Sequence, residues 1–173
     1  MPTLRAAHES DLDRLVQLSR QLADHDIALG QRRPRRWSAD PSDSIAQALR
    51  NPNEHHITVV VDEHGDVIGA CHTSLMGDEH SCAAHVYELI IDEPYRSQGH
   101  GRALLDDAMA WCAENGVDEV SLGVAPLSTR SRRFYERYGF EEASILLVRT
   151  VNGETGSSGA QRHAAGDQER AGY

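Results

Sequence analysis

The sequence contains no lysine: all 17 basic residues are arginine, and 27 acidic residues bring the formal charge to −10. Without a basic excess there is no electrostatic footprint for a phosphate backbone, which argues against non-specific nucleic-acid binding. An acidic chain favours encounter with cationic partners, although net charge speaks to solubility and encounter rather than identity. The missing lysine also excludes a Walker-type phosphate loop, which needs one after its last glycine. Cysteine is scarce. Cys71, Cys82 and Cys112 cannot all pair and form no disulfide framework, which points to a reduced, cytoplasmic setting. No stretch approaches the roughly 18 consecutive apolar residues of a membrane span. The N-terminal Met-Pro-Thr-Leu-Arg-Ala-Ala-His-Glu-Ser has no long apolar run, so no signal peptide or membrane association is expected. At 173 residues the chain suits one domain with a real core.

What is present has a clear order. Thr3 to Ala7 reads as a strand, and Ser10 as the N-cap of a helix reaching about His25, with Leu12, Leu15, Val16, Leu18 and Leu22 on one stripe. Gly30 to Pro41 is a loop carrying Arg32, Arg33, Arg35, Arg36 and Trp37. A second short helix from Ser42 or Ser44 ends at Asn51-Pro52. Ile57–Val61 and Val67–Ser74 are strands joined through Glu63-His64-Gly65-Asp66, and a second hairpin at Gly77–Ser81 leads to a strand at Val86. Beyond residue 116, Val117–Val124 is a strand, Ser128–Phe140 a short helix stopped by Gly139, and Ser144–Val151 a last strand. From residue 152 onward Gly, Ser, Ala, Gln and charge replace any apolar pattern. The expected division is therefore a domain over 1–151 and a disordered tail over 152–173.

The chain is organised around residues 86–105. Val86, Tyr87, Ile90 and Ile91 make a strand, which Asp92-Glu93-Pro94 breaks. Arg96-Ser97-Gln98-Gly99-His100-Gly101-Arg102 then turns into a helix marked by Leu104, Leu105, Ala108, Met109 and Cys112. Such a turn aims backbone N–H groups at one spot in front of a helix dipole, a cradle for phosphate. A dinucleotide fingerprint is excluded, because Leu104 stands where its third glycine would be.

Arg96-Ser97-Gln98-Gly99-His100-Gly101 resembles the Gln/Arg-x-x-Gly-x-Gly/Ala signature of the GNAT superfamily of N-acetyltransferases. Arg133-Phe134-Tyr135-Glu136-Arg137-Tyr138-Gly139-Phe140 resembles the same family's Phe-Tyr-Glu-Lys/Arg-x-Gly-Phe segment. The resemblance covers Leu4 to about Val151. It implies an α+β GNAT fold, a central mixed, mostly antiparallel sheet of six to seven strands flanked by four helices. It further implies acetyl-CoA as cosubstrate, with Arg96, Ser97, Gln98, Gly99, His100, Gly101 and Arg102 at the pyrophosphate. The strand edge at Leu89, Ile90 and Ile91 would hold the pantetheine arm, and a backbone N–H near Ile90 or Ile91 the oxyanion. Ser128 stands where many relatives have Asn, and Ser131 where they have Ala; Ser128 retains one hydrogen bond to offer the cofactor. Dimers are common in the family, so a homodimer is among the expected assemblies.

The chemistry follows from an acetyl thioester meeting an amine. The amine must lose a proton before it attacks, the oxyanion needs donors, and the departing thiolate benefits from a proton. By the resemblance Tyr135 is the residue that protonates the leaving sulfur and Glu88 the base. An acid among Val86, Leu89 and Ile90 is itself unusual in a strand. His85 and His100 are fallback bases. The function expected is acetyl transfer to a primary amine of a small molecule in a ternary complex. The alternatives are a protein or peptide N-acetyltransferase and a non-catalytic CoA-binding module. A zinc site from Cys71, His72, His80, Cys82 and His85 fits no standard ligand spacing, so no metal is expected. The four arginines of the 32–36 loop would favour an anionic acceptor group if they reached the site.

Overall fold

A computed structural model of the chain describes residues 2–31, 40–76 and 83–147. The elements are β1 (Thr3–Ala6), α1 (Leu12–Ala28), α2 (Ser42–Arg50), β2 (His55–Val61), β3 (Val67–Met76), β4 (Ala83–Ile91), α3 (His100–Glu114), β5 (Glu119–Leu122) and α4 (Thr129–Tyr138). The strands form one sheet in the order β1-β2-β3-β4-β5, antiparallel except for the parallel pair β4–β5. This is the expected α+β layout with four α-helices, but the strand number needs correction. Among the described residues there are five strands, not six to seven. Residues 144–147 carry no strand, and Ile145, Leu146 and Leu147 are exposed. An apolar run makes a strand only where a neighbour takes up its ladder. The Arg32–Trp37 loop, the Gly77–Ser81 hairpin, His80, Cys82 and residues 148–173 lie outside the described residues.

Strand alternation sorts the core into two clusters, one on each face of the sheet. Val59, Val61, Ala70 and Ile90 pack with Leu15, Val16 and Leu18 of α1 and Ile45 and Ala48 of α2. Val60, Ile68, Cys71 and Val86 pack with Leu104, Leu105 and Ala108 of α3, and Phe134, Tyr135, Tyr138 and Phe140 lean on that cluster. Each fully buried aliphatic side chain contributes about 1.5–3 kcal/mol, so these two clusters dominate the favourable side of folding. α3 is also tied to β2 by polar contacts. Asp107 Oδ2 accepts from Thr58 Oγ1 at 2.6 Å and lies 2.7 Å from His56 Nε2, while His56 stacks on Trp111.

Local contacts move several expected boundaries. Ser10 is not the N-cap of α1. Residues 9–11 make a 3₁₀ turn, because the Asp11 carboxylate takes both Arg5 guanidinium nitrogens (2.7 and 2.9 Å) and the His8 N–H (2.8 Å). Those bonds, the Arg5 one foremost, hold the Asp11 carboxyl below its ordinary pKa. α1 runs to Ala28, past the expected His25.

Two features of β4 shape the site. The register puts Glu88 opposite His72 but Val86 opposite Thr73, so Tyr87 is an extra, bulged residue. Pairing with β5 covers only Ala83–Val86 against Glu119–Leu122. Among the described residues, therefore, no strand pairs with 87–91 on the β5-facing edge of β4. Gly69 of β3 allows the close approach on the other side, where a Cβ would clash with Ile91 Cδ1 and lie 2.8 Å from the Ile90 carbonyl oxygen.

Candidate active site

Alternation along β4 decides which amides face the open edge. Asp92 N–H donates to Ile68 O of β3 at 2.8 Å, so the amides of Ile90 and Glu88, two and four residues back, turn the same way. Leu89 and Ile91 turn outward, and Ile91 O takes Arg96 Nε at 2.9 Å on that side. Of the three strand residues expected to hold the pantetheine arm, the edge thus presents Leu89 and Ile91. The amide of Ile90 belongs to the β3 ladder.

The turn ahead of α3 has the expected geometry. Gly99 is left-handed at φ 88° and nothing lies within 4 Å of where its Cβ would be. Ser97 is also left-handed, at φ 65°, the one non-glycine residue with positive φ among the described residues. A serine held there costs strain that the surroundings must offset. α3 has no side-chain cap and no acid in its first turn. Its ladder starts with Ala103 N–H donating to Gly99 O at 3.0 Å, so the N–H groups of 100–102 precede it. His100 Nε2 is buried with no hydrogen-bond partner among the described residues. These residues fit an anionic phosphate.

The cationic groups are arranged differently from the expectation. Arg96 is anchored through Nε to Ile91 O, and Gln98 folds back to donate to Pro94 O at 3.2 Å. Arg102 sits over the Tyr138 ring, 5.5 Å from its centroid, and 3.6 Å from Asp106, on the side of α4. Arg130, which sequence reasoning missed, extends from the first turn of α4 and donates from Nη2 to Ser97 Oγ at 2.7 Å. Ser128 is buried and donates to Ser131 Oγ at 2.8 Å, so its proton is already placed within the chain.

Glu88 points to the α1 side of the sheet, where Ser19 Oγ donates to its Oε1 at 2.5 Å. Ser19 is buried on the apolar stripe of α1, one turn after Leu15. That polar residue on a core-facing position was the signal that could have singled it out. Tyr135 is packed edge-to-face between Phe134 and Phe140, with centroids at 5.1 and 5.7 Å. Burial, then the neighbouring Cys71 and Asp26, raises its pKa well above the usual tyrosine value, so it remains a proton donor across the neutral range. Tyr138 is a packing residue whose hydroxyl donates to Asp106 at 2.6 Å.

Of the fallback bases, His85 Nδ1 lies 2.9 Å from Ser121 Oγ, and burial lowers its pKa. The described members of the zinc alternative do not converge. Cys71 faces α3 beside Thr73, its thiol pushed up to about 12 by burial, while His72 pairs in register with Glu88. Among the described residues no group of three or more His, Cys, Asp or Glu could hold a metal ion. Two grooves flank α1, but neither is lined by Glu88, Tyr135 or residues 96–102.

Comparison with known proteins identifies relatives of the chain. The model of the acetyltransferase (GNAT) family matches residues 22–140. The mycothiol acetyltransferase of Propionibacterium freudenreichii subsp. shermanii is 30% identical over 143 residues, 82% of this chain and 44% of that protein. The chain thus spans less than half of that relative's length. The ribosomal protein bS18-alanine N-acetyltransferase of Escherichia coli (strain K12) is 28% identical over 95 residues, 55% of this chain and 62% of that protein. The structure of AAC(6')-Iy in complex with the bisubstrate analog CoA-S-monomethyl-acetylneamine has a TM-score of 0.64 at 18% identity. It covers 87% of this chain and 98% of that one, a likeness of fold.

Proposed function

The chain belongs to the acetyltransferase (GNAT) family, and on that premise we propose that it transfers the acetyl group of acetyl-CoA to a primary amine of a small molecule, by direct attack in a ternary complex. The observation that carries the reading is the open β4 edge at 87–91, followed through the 92–99 turn by a helix start with no side-chain cap. An extended amide-bearing arm fits the first and a pyrophosphate the second. The names of the mycothiol acetyltransferase and of the acetylneamine complex support a small-molecule acceptor. The likeness to the bS18-alanine enzyme supports a second reading, acetylation of a protein N-terminus. Turnover on short peptides against a panel of small amines separates the two.

Acetyl-CoA supplies an activated acetyl thioester. The N–H groups at the start of α3, with Arg130 and Arg96 beside them, bind and orient its phosphates. Leu89 and Ile91 align its amide arm along β4 and offer an N–H where negative charge develops. Glu88, fixed by Ser19, receives a proton from the acceptor ammonium. Tyr135 holds a proton for the leaving thiolate. The unpaired buried thiols of Cys71 and Cys112 suit a reducing compartment, and the cytoplasm is the location we assign.

The test is thermal unfolding with and without acetyl-CoA in the wild type and in Gly101→Asp. A Cβ at Gly101 makes only ordinary contacts at 3.9 Å with Ile91 and Phe134, so the variant keeps its fold while adding negative charge to the cradle. At about 100 times its dissociation constant the ligand stabilises by roughly 2.7 kcal/mol, a shift of about 5–10 °C. The wild type is expected to shift and the variant not. A folded wild type that does not shift overturns the reading.

A further inference from the structure

The reaction leaves a proton unaccounted for. An ammonium acceptor gives up two protons on becoming an amide; one goes to the leaving thiolate and the other must leave the protein. Glu88 can take that second proton once, and then has to be emptied before the next turnover. Its neighbours show where the proton can go. His72 is directly opposite Glu88 in the β3–β4 register, on the same face of the sheet, where such paired side chains lie side by side. His72 is largely buried, and its Nε2 lies 3.2 Å from Nδ1 of His55 on β2. Both rings keep some exposure, so the pair connects the site with solvent.

We propose that His72 and His55 carry the proton that Glu88 takes from the acceptor out of the site, as a two-imidazole relay across β3 and β2. The proposal rests on Glu88 acting as the base. The Glu88 O–H bond breaks as an N–H bond forms at His72 Nδ1. His72 Nε2–H passes to His55 Nδ1, and His55 releases its Nε2 proton to water. Exchange with water, which reaches both partly exposed rings, takes the proton from each Nδ1 and returns one to each Nε2, restoring the starting tautomers. No electrons change hands and no co-reactant is needed.

The surroundings suit this role. Burial, and then the proximity of His55, lowers the His72 pKa to about 4. At neutral pH His72 is therefore a neutral imidazole, able to accept at one nitrogen while donating at the other. Among the described residues, the ionisable groups around it are His55 on β2 and Glu88 and Tyr87 on β4. The Tyr87 ring lies 5.4 Å from that of His72, and His85 lies beyond Tyr87 at 4.8 Å. From α1, Ser19 contributes a hydroxyl that holds Glu88 in place.

The experiment compares wild type, His72→Ala, His72→Gln and His55→Ala, using acetyl-CoA and whichever amine the wild type turns over. Both His72 variants are expected to lose at least about 10-fold in kcat, as loss of a proton-transfer group does, with the acetyl-CoA thermal shift retained. Imidazole added to His72→Ala restores turnover, whereas pyrrole, which fills the same space without carrying a proton, does not. His55→Ala loses less, because buffer reaches its position. His72→Gln keeps a hydrogen-bonding group of similar length and covers the case in which the alanine variant fails to fold. Unchanged kcat in His72→Gln, or equal rescue by pyrrole, overturns the relay. So does loss of wild-type turnover on chelation with recovery on adding zinc, which would make the two imidazoles metal ligands. A wild type that shifts with acetyl-CoA but acetylates no amine removes the transferase reading instead.

Discussion

His72 has lost most of its basicity to burial, and that loss is also a statement about stability. Its pKa is about 4 in the folded chain and about 6.5 unfolded. Above pH 6.5 both states leave it neutral, and it contributes its full share. As pH falls from about 6.5 toward 4 the unfolded chain takes up a proton that the folded chain refuses, so stability is lost through that window. The loss is on the order of 3 kcal/mol. Asp11 adds a second loss at lower pH, because its folded pKa is depressed by Arg5. Urea unfolding of the wild type between pH 4 and 7 is expected to show the midpoint falling with acidification. In His72→Gln the slope between pH 6.5 and 4 flattens while the lower-pH loss remains. An identical slope in the two proteins would mean that His72 is not the group responsible.

At the scale of elements, what the sequence made legible was what is local. The apolar alternation of β2, β3 and β4 and the helical spacing of Leu104, Leu105 and Ala108 are written in neighbouring residues, and so is the break at Asp92-Glu93-Pro94 between β4 and α3. Contacts that exist only after folding were not legible. Arg130 reaches Ser97 across 33 positions and Asp107 reaches Thr58 across 49. Nothing beside either residue marks its partner. The bulge at Tyr87 depends on the register of two strands, and Ile145 to Leu147 read as a strand because alternation says nothing about whether a partner edge is available. The Asp107 clasp gives this contrast an energetic test. Thr58 is buried, so Asp107→Ala leaves its hydroxyl without the acceptor it uses and removes the partner of His56. The expected cost is about 1–3 kcal/mol in denaturant unfolding. Thr58→Val with Asp107→Ala, which removes both ends of the Thr58–Asp107 bond and leaves only His56 polar there, is expected to recover part of that cost. A single variant as stable as wild type would show that the clasp contributes nothing to holding α3 on the sheet.

For the whole molecule, the question is how much of the chain the fold requires. Both core clusters draw on residues between Leu15 and Phe140, with Ala7 and Leu12 packed against the first. The compact unit that contains them ends at Glu142. The composition of 152–173 offers no apolar pattern with which to extend either cluster. We propose a domain over 1–151 and expect a chain ending at Val151 to unfold within about 2–4 °C of the full chain, a difference below roughly 1 kcal/mol. The same shortened chain is expected to keep the acetyl-CoA thermal shift, since the 96–102 turn, the β4 edge, Tyr135 and Arg130 all precede residue 142. The two readouts separate different failures. A lower midpoint with the shift retained would mean that the last residues stabilise the fold. An unchanged midpoint with the shift lost would place part of the cofactor site beyond Val151.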